Sequence, residues 1–362
     1  MPGAETTAST NVDQATGERF LRQWTRNAIV QIKRPPAGET MFAFLNATPR
    51  DPQRPVGPQV LYCGAGPELF SDLGLPDYID DAATARESPV IQQLRRRFFL
   101  IAADTALAPL LWLGLVPDLV LSIDSGPGTY FHLAAAARIQ PAFSFPVLTN
   151  LAGARCLPLF FQRRLFYRST TPLDQWLAAG PLAEIVEWAN PTRNAIGLAI
   201  HVAGLLRSTG IRTAGANFRS RGSQTHVRGT GYTEYFLSRA HRTAPLATYR
   251  PGGYITRAGG PERTEKNALT HAKTSAMAAT AGIDLRPLRL NDGHATDADP
   301  IDGPGLEHTR AAFALPAANV RAIPAAALSA FLDETRARVD ADIFARWNIR
   351  TADLDRWLRT GN

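Results

Sequence analysis

The first residues that could do chemistry are Gly64-Ala65-Gly66-Pro67. They follow the apolar run Val60–Cys63 and precede a helix-like stretch through Leu73. Glycines between a strand and a helix let a backbone approach a phosphate, and the helix N-terminus favours negative charge. A dinucleotide fingerprint needs a third glycine, and Leu69 or Phe70 stands there. No lysine follows a glycine loop, so there is no P-loop for a triphosphate. On spacing alone, a plain strand-to-helix turn fits as well as a nucleotide loop.

Two carboxylates come next. Asp104 and Asp124 each end an apolar run, where a carboxylate can contact a ribose, a base or a metal ion. Helix N-capping is the competing role for Asp104, because a helix is predicted to start there. Any metal site falls to Asp124. Of the seven histidines, His226 lies in a Gly/Ser/Arg-rich loop just after a strand edge. An imidazole with a pKa near 6.5 suits a general base, but a solvated loop histidine fits the spacing equally. His201 reads as a satisfied core histidine within an apolar helix. His132, His241, His271, His294 and His308 have no constellation around them in the sequence.

The elements that must position these groups alternate regularly. Apolar strands are predicted at 60–63, 98–102 and 119–123, with further strands near 145–148, 165–167 and 212–214. Helices are predicted at 104–114, 173–189 and 195–207. Strand, crossover helix, strand repeated in this way gives a mostly parallel α/β sheet with helices on both faces. Ligands then lie beyond the carboxyl ends of the strands, where Gly64, Asp104, Asp124 and Asn217 all fall. Residues 1–17 are polar and expected to be disordered, 20–32 have helical spacing, and 38–58 read as a Pro-rich connector. Helix is predicted at 262–281, a strand at 285–290, and a helical segment from 310 onward. The expected division is 1–57, 58–300 as the nucleotide-binding domain, and 301–362 as a helical C-terminal segment.

The 362 residues suffice for a full core. The formal charge is +7, and only Lys33, Lys266 and Lys273 among 39 basic residues are lysine. Arg95-Arg96-Arg97 and Arg163-Arg164 are the only arginine runs, with no stripe interleaved with aromatics, which argues against nucleic acid. A mild positive excess suits a small anionic ligand. Cys63 and Cys156 are too few for a disulfide framework. Asp104, Pro109, Pro117 and Asp118 interrupt the apolar stretch 98–123, so no membrane span is expected, and the protein reads as cytoplasmic.

The run Leu61-Tyr62-Cys63-Gly64-Ala65-Gly66-Pro67-Glu68-Leu69 resembles the GxGPSL loop of the Maf (motility accessory factor) glycosyltransferases and the MptE-like pterin pyrophosphokinases. Ala103-Asp104-Thr105-Ala106, Gly114 with Pro117-Asp118, and Ser122-Ile123-Asp124 continue the pattern in order. Bacterial sialyltransferases that use CMP-sialic acid look similar in a later unit. Here it is Asn194-Ala195-Ile196-Gly197 running to Gly215-Ala216-Asn217-Phe218, followed by Thr225-His226-Val227-Arg228-Gly229. Glu68 stands where the pattern has Ser, and Asn217 where it has Asp.

The resemblance implies a Rossmann-like, GT-A-like sheet. It also implies a glycosyltransferase moving a nonulosonic (sialic-acid-like) sugar from a CMP donor to a Ser or Thr of a protein such as flagellin. Gly64, Ala65, Gly66, Pro67, Asp104, Thr105, Asn194, Gly197, Asn217 and Thr225 would hold the nucleotide, with His226 and Asp124 catalytic. Mg²⁺ is compatible with this chemistry and not required by it. A pterin pyrophosphokinase using ATP and Mg²⁺, or a non-catalytic nucleotide-binding accessory protein, are the alternatives.

Overall fold

The computed structural model describes residues 20–36, 39–46, 57–76, 86–208, 210–217, 226–241, 261–288, 320–336 and 349–360. Residues 1–17 and Thr225 lie outside them. The strands are β1 (Met41–Leu45), β2 (Val60–Cys63), β3 (Phe99–Ala103), β4 (Leu119–Leu121) and β5 (Val147–Thr149). They continue with β6 (Arg164–Phe166), β7 (Gly210–Ala214), β8 (Asp284–Pro287) and β9 (Val320–Pro324). They form one sheet in the order β8-β7-β2-β3-β4-β5-β6-β1-β9. Every neighbouring pair is parallel except β1 and β9, which run antiparallel. The expected mostly parallel, Rossmann-like α/β sheet is what the chain forms.

Among the described residues the helices are α1 (20–33), α2 (Leu69–Asp72), α3 (Pro89–Arg97), α4 (Leu107–Trp112) and α5 (Gly128–Ala137). After them come α6 (Pro172–Leu177), α7 (Ala195–Leu205), α8 (Tyr232–Arg239), α9 (Pro261–Thr280), α10 (Ala325–Thr335) and α11 (Thr351–Thr360). The central strands are apolar at every position because both faces are covered. Within β4, Leu119 and Leu121 join the core beneath α7, whereas Val120 points to the core beneath α4 and α5. Leu148 and Val147 of β5 divide in the same way. α7 is apolar on nearly all sides, and seven of its residues, from Ile196 to Ala203, are buried.

The structure differs from expectation at the sheet's far edge. Residues 41–45, within the predicted connector, form β1 between β6 and β9, and Phe42, Phe44 and Phe166 pack there as one aromatic cluster. Alternation of buried and exposed residues in Met41–Leu45 marks a strand that its Pro-rich flanks obscure. β9 lies inside the stretch expected to be helical. The helix predicted at 173–189 ends at Leu177, after which turns lead to Trp188. The sheet thus draws strands from all three segments of the chain. Arg164, half of a basic run, is buried in β6, where it pairs with Glu39 and donates to Gln31 Oε1 at 2.9 Å. Burial lowers its pKa to about 10.

Candidate functional site

The connection from β2 runs one way along the sheet to β3, and the connection from β7 runs the other way to β8. A crevice opens at such a switch point, beyond the carboxyl ends of the two strands. The Gly64–Pro67 loop and the Gly215–Asn217 turn form its two sides. They touch directly. Gly64 donates its amide to the Ala214 carbonyl at 2.8 Å, and Gly66 donates to the Gly215 carbonyl at 2.7 Å.

A β-carbon on Gly64 or Gly66 would stand 2.5 or 2.6 Å from the Gly215 oxygen. The two glycines are therefore required by packing of loop on loop, and both amides are already engaged. Asn217 belongs to the same contact, its Oδ1 lying 3.3 Å from the β-carbon position of Gly66. His271 of α9 bonds the Asn217 carbonyl at 2.9 Å.

Asp104 and Asp124 follow the adjacent strands β3 and β4. Asp104 is buried; its Oδ2 accepts from Ser122 Oγ at 2.6 Å and its Oδ1 from the Thr105 amide at 2.7 Å. Burial, and then the negative charge of Asp124, raise its pKa to about 7, against the two hydrogen bonds that lower it. A carboxyl group that titrates near neutrality can give or take a proton. Asp124 shows surface to solvent, and the protein around it raises its pKa above the usual carboxylate range. Two carboxylates in unlike settings thus stand side by side. Among the described residues no three His, Cys, Asp or Glu side chains converge as a metal site.

His226 stands next to the glycine loop. Val227, next to it, donates its amide to the Ala65 carbonyl at 2.9 Å, which ties this loop to the glycine loop. The His226 ring lies 4.1 Å from that of Tyr232 in a tilted contact, and the His132 ring meets Tyr232 edge-on at 4.4 Å. His132, dismissed on sequence grounds, is part of a His–Tyr–His ring cluster. Burial first, then the nearby His226, lower its pKa to about 4, while Glu234 acts in the opposite sense. The cluster exists because α8 is pressed against α5. A β-carbon on Gly231 would lie 2.2 Å from the Phe131 carbonyl oxygen, and Arg138 pairs with Glu234 at 2.7 Å. The only local signal was the helical start Gly128-Thr129-Tyr130-Phe131-His132 placed shortly after Asp124.

Asn194 caps α7, accepting from the Gly197 amide at 3.1 Å and from Thr192 Oγ1 at 2.7 Å. Both residues thus sit on the carboxyl side of the sheet in a helix cap. His201 keeps its expected structural part, bonding the Ala189 carbonyl at 2.8 Å.

Buried side-chain atoms without a protein partner are the strongest mark of this edge. Among the described residues they are Glu68 Oε2, His132 Nδ1, Asn150 Oδ1, Arg168 Nε and Asn194 Nδ2. Each belongs to a segment that leaves a strand at its carboxyl end or starts the helix returning from that side. An unsatisfied buried polar group costs about 1–3 kcal/mol, and such groups gather where a ligand completes them.

No family model matches the sequence, and no curated protein matches it. The fold is similar to that of the solved Maf glycosyltransferase from Magnetospirillum magneticum AMB-1, with a TM-score of 0.54 and 12% identity. The similarity covers 92% of this chain and 49% of that one, so the chain spans about half the length of the protein it matches. What the two share at that identity is the α/β fold.

Proposed function

We propose that this chain is a glycosyltransferase that moves a nonulosonic sugar from a CMP donor to a serine or threonine hydroxyl of a protein, flagellin being one such acceptor. The observation that supports the reading is the Val227-to-Ala65 hydrogen bond, which holds the His226 loop against the glycine loop at the carboxyl edge of a sheet similar in fold to that of a Maf glycosyltransferase. The donor lies across the carboxyl edge, its CMP over the β2–β7 crevice beside Asp104, Thr105, Asn194, Gly197 and Asn217. His226 takes the proton of the acceptor hydroxyl as its oxygen bonds the anomeric carbon. The bond from that carbon to the phosphate oxygen breaks, and CMP leaves with the electron pair. Asp124 faces the positive charge that develops on the sugar ring, and no metal ion is required by these steps.

The test is His226→Ala. Transfer falls by about 10²–10⁴-fold while CMP affinity stays within a few-fold, since a positioned base contributes to the chemical step and not to nucleotide binding. Near-native turnover would remove His226 from the mechanism.

A second reading rests on Asp104 and Asp124. Carboxylates at the ends of neighbouring strands suit a shared Mg²⁺, as a pyrophosphokinase using ATP would need. Calorimetric titration with CMP, and with ATP plus Mg²⁺, separates the two.

A further inference from the structure

Asn150 directly follows β5, and Tyr167 directly follows β6. Both are more than nine-tenths buried. Asn150 Nδ2 donates to the Tyr167 hydroxyl at 3.1 Å, and Asn150 Oδ1 has no partner. Turning the amide over changes nothing essential. One of its ends meets Tyr167, and the other is buried without a hydrogen-bond partner.

The neighbourhood makes this unpartnered oxygen informative. α1 sends a row of amides, four residues apart, onto the loops on either side. Gln23 donates to the Ser125 carbonyl at 2.8 Å, Asn27 to the same carbonyl at 3.2 Å, and Gln31 to the Leu151 carbonyl at 2.8 Å. The fold thus satisfies the backbone around Asn150 and leaves the side chain itself incomplete. Tyr167 is held in place as well. It stacks on Trp188 at 5.8 Å, and Trp188 stacks on His201 at 5.0 Å. An unfilled amide on a rigid wall is a poor structural element and a good recognition element.

We propose that Asn150 and Tyr167 form a subsite for a neutral hydroxyl or acylamino group, which on the reading above belongs to the sugar of the donor. The amide and the phenol are both uncharged, and Asp104 and Asp124 on the strands before β5 disfavour a further anion there. The distance also fits. Strands lie about 4.8 Å apart, so β5 stands roughly 14 Å from β2 along the edge, a span suited to nucleotide at one end and sugar at the other. The β2–β7 end of the edge and the Asn150 wall then read opposite ends of one ligand.

The experiment uses the double variant Asn150→Leu with Tyr167→Phe, which removes both polar partners together and keeps their shapes. Thermal unfolding is measured first, followed by titration with CMP and with CMP-N-acetylneuraminate. The expected result is an unfolding midpoint at or above wild type, CMP affinity within two-fold, and affinity for the CMP-sugar lowered about ten-fold or more. A midpoint several degrees lower makes the pair a structural hydrogen bond and overturns the subsite. Equal affinity changes for the two probes, or none, overturn it too. If wild type binds neither probe, the nucleotide-sugar reading fails. The subsite is then decided by saturation-transfer NMR with N-acetylneuraminic acid and N-acetylglucosamine: a signal in wild type that the double variant loses supports it, and no difference overturns it.

Discussion

Gly66 donates its amide to the carbonyl of Gly215 at 2.7 Å, so the loop after β2 and the turn after β7 pack backbone to backbone. With a β-carbon the distance to that oxygen would be 2.6 Å. Gly66→Val should therefore destabilise the fold by about 1–3 kcal/mol, in the range of an overpacked core. Denaturant unfolding measures this, with Gly126→Ala as control, since a β-carbon at Gly126 meets nothing within 4 Å. A Gly66→Val protein as stable as wild type would show that the two loops can separate freely.

Asp104 carries the clearest pH signature. Its folded pKa, raised to about 7 by burial and by Asp124, lies above the unfolded value near 3.8. The folded state therefore holds the proton more tightly, and the stability this confers is lost as pH rises from about 4 through 7. Asp104→Asn mimics the protonated form: its carbonyl accepts from Thr105 and its amide donates to Ser122. The variant should be more stable than wild type at pH 8 by at least ~1.4 kcal/mol, the worth of one pKa unit. Equal stability at pH 5 and pH 8 for both proteins would refute the assignment.

His132 has the opposite sign. Its folded pKa of about 4 lies below the unfolded value of 6.5, so the unfolded chain binds the proton first. Stability is complete above pH 6.5 and declines as pH falls toward 4. His132→Gln should flatten that part of the stability profile, followed by thermal melts at half-unit pH steps. A profile unchanged by the substitution would assign the acid sensitivity to other groups.

Asp124 separates metal from charge. Asp124→Ala should weaken donor binding alike in EDTA and in Mg²⁺, if the carboxylate acts on the sugar itself. A loss seen only with Mg²⁺ would make Asp124 a metal ligand and favour the pyrophosphokinase reading.

What the sequence made legible follows from where each signal resides. β2, β3 and β4 were readable because burial on both faces leaves an unbroken apolar run, closed by Gly64, Asp104 or Ser122. β1 and β9 were not, since one is framed by prolines and the other is a short run, closed by Pro324, directly before a helix-forming stretch. The carboxyl-edge positions of Asp104 and Asp124 follow from strand ends alone. The His132–Tyr232–His226 cluster does not, because Gly231 pressing on Phe131 brings together helices some hundred residues apart, and no local spacing encodes that contact. The glycine loop taught a different lesson: its residues were visible, but their partner was another loop.

β1 pairs with β9 from Met41↔Pro324 to Leu45↔Val320, a separation of roughly 280 residues. During synthesis at about 5–20 residues per second, one side of β1 waits roughly 15–55 s for its partner to be made. β6 reaches it sooner, which leaves a single open edge carrying Phe42 and Phe44 on a growing chain. An exposed aromatic edge of that duration is a site for strand-to-strand aggregation and for chaperone capture. Yield on expression should then depend on elongation rate and temperature more than the finished fold's stability would suggest.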